Sequence, residues 1–169
     1  MFGNLDRSRT IAYSAAFIAL ITLGSWISVP WIPVPFTLQT LFVLLAGAVM
    51  KRSAVIPVSL YLLLGALGLP LFHNGIAGIG VLLGPTGGYL IGFAGAALIT
   101  GLAYEHPSRP IHICGLALAT LVIYAFGISW LMYSLDRPFL PVFLAGVLPF
   151  LAGDAIKAGA AYLIAERLP

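Results

Sequence analysis

The chain has 169 residues, of which 61% are hydrophobic and only 8% charged, and its mean hydropathy is +1.08. A soluble domain carries roughly a quarter of its residues as charges, which excludes a soluble enzyme. A net charge of +3 is also no footprint of a nucleic-acid-binding module.

The composition is that of an all-α integral membrane protein. Uncharged runs extend from Thr10 to Met50, from Ser53 to Tyr104 and from Pro110 to Leu135. A bilayer core of ~30 Å takes about 20 helical residues. The first two runs each fit two spans, broken by Pro30, Pro33 and Pro35 and by the Gly/Pro-rich stretch 68–88. With a last span carrying Asp154 and Lys157, the reading is a single six-helix membrane domain over 1–169, with spans near 10–29, 36–50, 54–68, 87–104, 111–134 and 142–166. Spans two and three are short for a full crossing, as helices are when a cavity enters from one side. No cleavage-site pattern follows the first apolar run, so that run is expected to join the bundle. Arg7, Arg9, Lys51, Arg52, Arg109 and Arg167 fall on one side of alternating spans and only Arg137 on the other. The bias puts both termini in the cytoplasm.

Along the first span, Ala12 and Ala16 make a small-residue face that lets another helix approach closely. It is read either as internal packing or as a docking face for a second membrane protein. The first outward loop, Pro30–Pro35, is stiffened by its prolines in an extended form. It leads into Thr37, Gln39 and Thr40, which offer uncharged hydrogen-bonding groups or, for Thr37, a helix cap. The second outward loop is glycine-rich and otherwise apolar, the composition of a lid that excludes water while glycines absorb backbone change. It lacks the Lys-Ser/Thr ending of a phosphate loop. His73 is separated from His106 and His112 by the membrane, and Cys114 is the single cysteine, so no metal-ligand set is expected. Gly88, Gly92 and Ala96 in span four, and Gly153, Ala158, Ala161 and Ala165 in span six, read as internal packing faces.

Asp154 and Lys157 are the sharpest feature. Charges within a membrane span cost several kcal/mol each and normally face a cavity or one another. Their i, i+3 spacing puts both on one helical face. The plain reading is an ion pair that glues the bundle; the functional one is a polar ligand site.

Four ordered stretches, IPVPFTLQTL (32–41), YLLLGALGLP (61–70), GPTGGYLIGF (84–93) and GDAIK (153–157), make the chain resemble the BioY family. These are the substrate-binding (S) components of energy-coupling-factor (ECF) uptake systems. Where that family usually has a small, Gly-rich stretch, this chain reads His73-Asn74-Gly75. The resemblance implies a six-helix bundle in the cytoplasmic membrane, surrounded by lipid, that binds biotin from outside beneath its Gly/Pro-rich loops. A separate transmembrane coupling subunit and two cytosolic ATPases would supply the energy. Biotin would be cargo, with no cofactor and no enzymatic reaction.

Biotin offers a ureido ring with two N–H donors and a carbonyl, an apolar thioether ring and a carboxylate tail. Asp154 can accept a ureido N–H, and Lys157 can donate to the carbonyl or pair with Asp154. Asn74, Gln39, Thr37 and Thr86 extend the polar set, while Trp31, Phe72 and Tyr89 can wall the apolar ring. Two alternatives stand beside this: an S component for another vitamin, and a small membrane enzyme or scaffold that uses the Asp154–Lys157 pair.

Overall fold

A computed structural model describes residues 3–168. The fold is almost entirely helical. In chain order come α1 (Gly3–Trp26), a ribbon of β1 (Ser28–Val29) and β2 (Phe36–Thr37), α2 (Gln39–Met50), a 3₁₀ turn (Lys51–Ala54) and α3 (Val55–Ala66). A second 3₁₀ turn (His73–Gly75) and the short α4 (Ile79–Leu83) follow, then α5 (Gly87–Ala103), α6 (Arg109–Leu135), α7 (Phe139–Gly146) and α8 (Leu151–Ala165).

The bundle is apolar outside as well as inside. Leu63, Leu121, Ile156 and Leu163 are all more than half exposed, while Ser25, Gln39, Thr100, Asp154 and Lys157 are buried. A surface of this kind is stable against acyl chains and would aggregate in water.

Helix is almost continuous from Gln39 to Ala66, yet it is not one rod. The Gln39 side-chain amide lies 2.6 Å from the Tyr61 hydroxyl, whereas 22 residues of unbroken helix would separate them by about 33 Å. The chain reverses at Lys51, where φ is 55° and ψ −143°. Each arm holds 12 residues, about 18 Å of rise. The arms therefore fall short of a bilayer's thickness, and the rest of that depth is left to the ribbon and to the loop 67–86.

Helices α5 and α6 make the most extensive contact in the bundle. Gly88 makes this possible, because a β-carbon there would collide with the Trp130 side chain and the Phe126 backbone. Helix α6 starts after the extended Ser108 with Pro110 in its first turn and ends at Asp136 in a left-handed conformation.

The last expected span, 142–166, is split between α7 and α8, whose axes meet at 52°. Pro149 lies in the break and lacks a backbone N–H, and Val147 leaves helical geometry. The freed Gly146 carbonyl is satisfied by the Tyr89 hydroxyl at 2.9 Å. Irregular backbone at membrane depth is tolerated when protein groups take up its hydrogen bonds, as here.

At one end of the bundle, Arg52 forms two hydrogen bonds to Glu105, at 2.6 and 2.5 Å, and Arg109 pairs with Glu166 at 3.1 Å. The Arg52 hydrogen bonds hold the Glu105 carboxyl below its usual range. Both pairs are exposed and contribute little to stability. His112 at this end is buried, stacks on Tyr104 with ring centroids 4.1 Å apart, and meets the backbone carbonyl of His106 at 2.7 Å. The ribbon and the loop 67–86 lie at the opposite end.

Candidate functional site

Beneath those loops is a cavity of about 60 Å³, room for roughly four waters. It draws walls from most of the bundle: Thr37, Gln39 and Thr40 around the start of α2, Tyr89, Leu90 and Phe93 from α5, Ile123 and Tyr124 from α6, Phe150 from the α7–α8 break, and Asp154 and Lys157 from α8. Val34 and Pro35 of the ribbon, with His73 and Thr86 of the loop, complete its lining.

The break between α7 and α8 explains why the charges lie where they do. It starts a new helix in the middle of an apolar segment, and Asp154 occupies the first turn of that helix. A carboxylate there is favoured by the positive end of the helix dipole. Its Oδ2 accepts a hydrogen bond from the Tyr124 hydroxyl at 2.5 Å, and its Oδ1 accepts one from Lys157 Nζ at 2.7 Å. Both charged side chains are buried. The Lys157 ammonium also sits 3.8 Å from the centroid of the Phe36 ring, which stacks on Phe150 at 5.8 Å. A cation over an aromatic face gains electrostatically when desolvated. The pair is therefore fully engaged and still faces the cavity, with lone pairs on Asp154 and N–H groups on Lys157 to spare.

On the opposite wall the Thr37 hydroxyl donates to Gln39 Oε1 at 3.0 Å, and Gln39 Nε2 donates to the Tyr61 hydroxyl at 2.6 Å. One amide N–H of Gln39 remains available. Thr37 makes no cap to the backbone beyond a 3.3 Å contact from the Gln39 N–H. Burial of His73 in the closing loop lowers its imidazole below the usual 6.5 and favours the neutral ring.

Six of the residues singled out from sequence thus converge on one cavity: Thr37, Gln39, Thr86, Tyr89, Asp154 and Lys157. Three others lie outside its lining. Phe72, expected as a wall, is fully buried beneath the loop, edge-on to Tyr61 with ring centroids 5.5 Å apart. It fits there because Gly65 has no β-carbon to meet its ring. Trp31 is 51% exposed and borders a separate surface groove with Val29, Phe36 and Pro149. Asn74, left-handed at φ 56°, accepts a 2.8 Å hydrogen bond from Ser28 and so ties the loop to the ribbon. Ala12 and Ala16 are exposed on the outside of α1.

Sequence reasoning overlooked Tyr124, the most direct partner of Asp154. Its signal was weak: one of two tyrosines, with Tyr133, inside a long apolar run. Tyr61 and Phe36 were hidden for the same reason, since aromatics are common throughout membrane spans.

Comparison with known proteins agrees with this architecture. The BioY family profile matches residues 3–169. A probable biotin transporter BioY of Pyrococcus horikoshii is 42% identical over 96% of this chain and 97% of its own length. The biotin transporter BioY of Thermotoga maritima is also 42% identical, over 95% of each chain. Among solved structures, the S-component for biotin from an ECF-type ABC transporter superposes with a TM-score of 0.87 at 28% identity, covering 97% of this chain and 92% of that one.

Proposed function

The chain belongs to the BioY family, and from that premise we propose that the cavity between α2, α5, α6 and α8 is where it holds biotin. The protein is the S component for biotin uptake by an ECF-type transporter; it is a transport component and not an enzyme. It is a multi-pass membrane protein.

One observation carries the assignment of the site: a buried carboxylate, held by Tyr124 and Lys157, faces a cavity that two loops help to line. Asp154 accepts a ureido N–H through its remaining lone pairs, and Lys157 donates to the ureido carbonyl. Gln39, Thr37 and Thr86 serve the remaining polar atoms. Tyr89, Phe93 and Ile123 pack on the thioether ring. A buried neutral ureido group is well matched to such a wall, because each of its polar atoms finds a partner and no net charge must be desolvated.

Val34, Pro35, His73 and Thr86, which the two loops contribute to the lining, move outward for entry and return over the bound molecule. The loop end faces outside and both termini are cytoplasmic, in keeping with the Lys/Arg bias. The exposed Ala12 and Ala16 face receives a transmembrane coupling subunit, which two cytosolic ATPases energise. Six spans cross the cytoplasmic membrane, the last formed by the bent α7–α8 pair.

Calorimetric titration of purified protein with biotin tests the site. Gln39→Ala is expected to weaken binding about tenfold and Asp154→Asn by more. Binding unchanged in both variants would place the ligand elsewhere.

A further inference from the structure

The carbonyl of Leu71, in the loop that supplies His73 and Thr86 to the cavity lining, accepts hydrogen bonds from the bundle below. Tyr61 donates at 3.0 Å from α3, and Ser25 reaches it at 2.7 Å from α1 with a proton it shares with the Thr22 carbonyl, also at 2.7 Å. A carbonyl can only accept, so the one proton of the Tyr61 hydroxyl is committed to it. The Tyr61 oxygen is then left to accept, and it does so from Gln39 at 2.6 Å, with Ser25 also beside it. That requirement turns the Gln39 amide so that its nitrogen faces Tyr61 and its oxygen faces the Thr37 hydroxyl at 3.0 Å. Every step runs one way: Thr37 hydroxyl to Gln39 oxygen, Gln39 nitrogen to Tyr61, Tyr61 to the loop carbonyl.

We propose that Tyr61 is a positioning residue through which the seated loop sets the donor and acceptor pattern of the cavity. Tyr61 does not line the cavity itself, and it acts through Gln39. With Leu71 in place, Gln39 is held with a spare N–H for an acceptor atom of the ligand. With the loop lifted, Tyr61 is free to turn its proton toward Gln39. The amide can then reverse and present its oxygen instead. The open cavity is thus poorly matched to an acceptor, and closing the loop creates the match. Selectivity is in this way tied to closure rather than to the first encounter. Phe72, the next residue, anchors the same segment by its seat against Gly65, and the Gly78 N–H bonds the Gly65 carbonyl at 2.8 Å.

The inference rests on the cavity being the biotin site, and its test separates the two. Biotin is titrated into the full-length protein, Tyr61→Phe, Gln39→Ala and the double variant, with backbone hydrogen exchange of residues 72–78 followed with and without ligand. Tyr61→Phe keeps the ring that packs against Phe72 and removes only the hydroxyl. The expected result is about a five- to tenfold rise in Kd for Tyr61→Phe. No further rise should appear when the same change is made in Gln39→Ala. In the wild type, biotin should slow exchange at Gly78, and Tyr61→Phe should lose most of that protection. An unchanged Kd in Tyr61→Phe, or a rise that simply adds to that of Gln39→Ala, would overturn the role of Tyr61 and leave the biotin site standing. Should Tyr61→Phe prove unfoldable, absence of biotin-dependent protection at Gly78 in the wild type would overturn it just as well. A wild-type protein that binds no biotin would overturn both readings.

Discussion

Neutralising Asp154 and Lys157 singly and together distinguishes a ligand site from an ion pair that only joins helices. In Asp154→Asn, the Lys157 ammonium keeps the Phe36 face at 3.8 Å but loses the carboxylate at 2.7 Å. Stranding a buried charge costs about 3–5 kcal/mol, whereas removing both partners of a pair can be nearly neutral. Lys157→Met strands the carboxylate less completely, because Tyr124 still donates to it at 2.5 Å. The smaller loss of stability is therefore expected for Lys157→Met, and near-recovery for the double variant. Binding should behave in the opposite way. The double variant replaces a charged acceptor with a neutral amide and removes the Lys157 donor altogether, so biotin affinity should fall about a hundredfold or more. Thermal unfolding in detergent and calorimetry on the same samples give both quantities. A stable double variant that binds biotin as the wild type does would refute the assignment and reduce the pair to a helix joint.

Three further outcomes follow from the same geometry. Tyr124→Phe removes one charge-assisted hydrogen bond to Asp154 and should weaken biotin binding by about 1.5–3 kcal/mol, read by calorimetry, with the fold retained. Ala12→Leu or Ala16→Leu, on the exposed face of α1, should abolish co-purification with the coupling subunit and leave biotin affinity intact; lost affinity with normal assembly would make that face internal packing. A cysteine at Asp136 should react in intact cells with an impermeant thiol reagent and one at His106 should not, and reversed labelling would invert the proposed orientation.

Much of the candidate site was legible because charge is so costly in this setting. Asp154 and Lys157 are conspicuous in an apolar chain, and their spacing already puts them on one helical face. Tyr124 was not legible: a membrane-span tyrosine reads equally as lipid anchor, packing residue or hydrogen-bond donor, and only tertiary placement tells these apart. Phe72 and Trp31 lie outside the cavity lining, and the cause is related. Which way a loop side chain faces has no periodicity to reveal it, so Phe72 could be read as a wall when Gly65 in fact receives it beneath the loop. Asn74 reads from sequence as a polar group near the cavity, and from its left-handed backbone its side chain accepts from Ser28. Pro149 hinted at the bend between α7 and α8, yet a proline inside a membrane helix often leaves it continuous. The bend became visible once Gly146 was seen bonding Tyr89 rather than its own helix.

The central claim is that this chain captures biotin at the Asp154–Lys157 cavity. The most direct test is mass spectrometry of the ligand released from detergent-purified wild-type protein and from the Asp154/Lys157 double neutral variant, both produced in medium containing biotin. One biotin per wild-type chain and none on the folded double variant is the predicted result. A different vitamin on the wild type, or biotin retained by the variant, would contradict it.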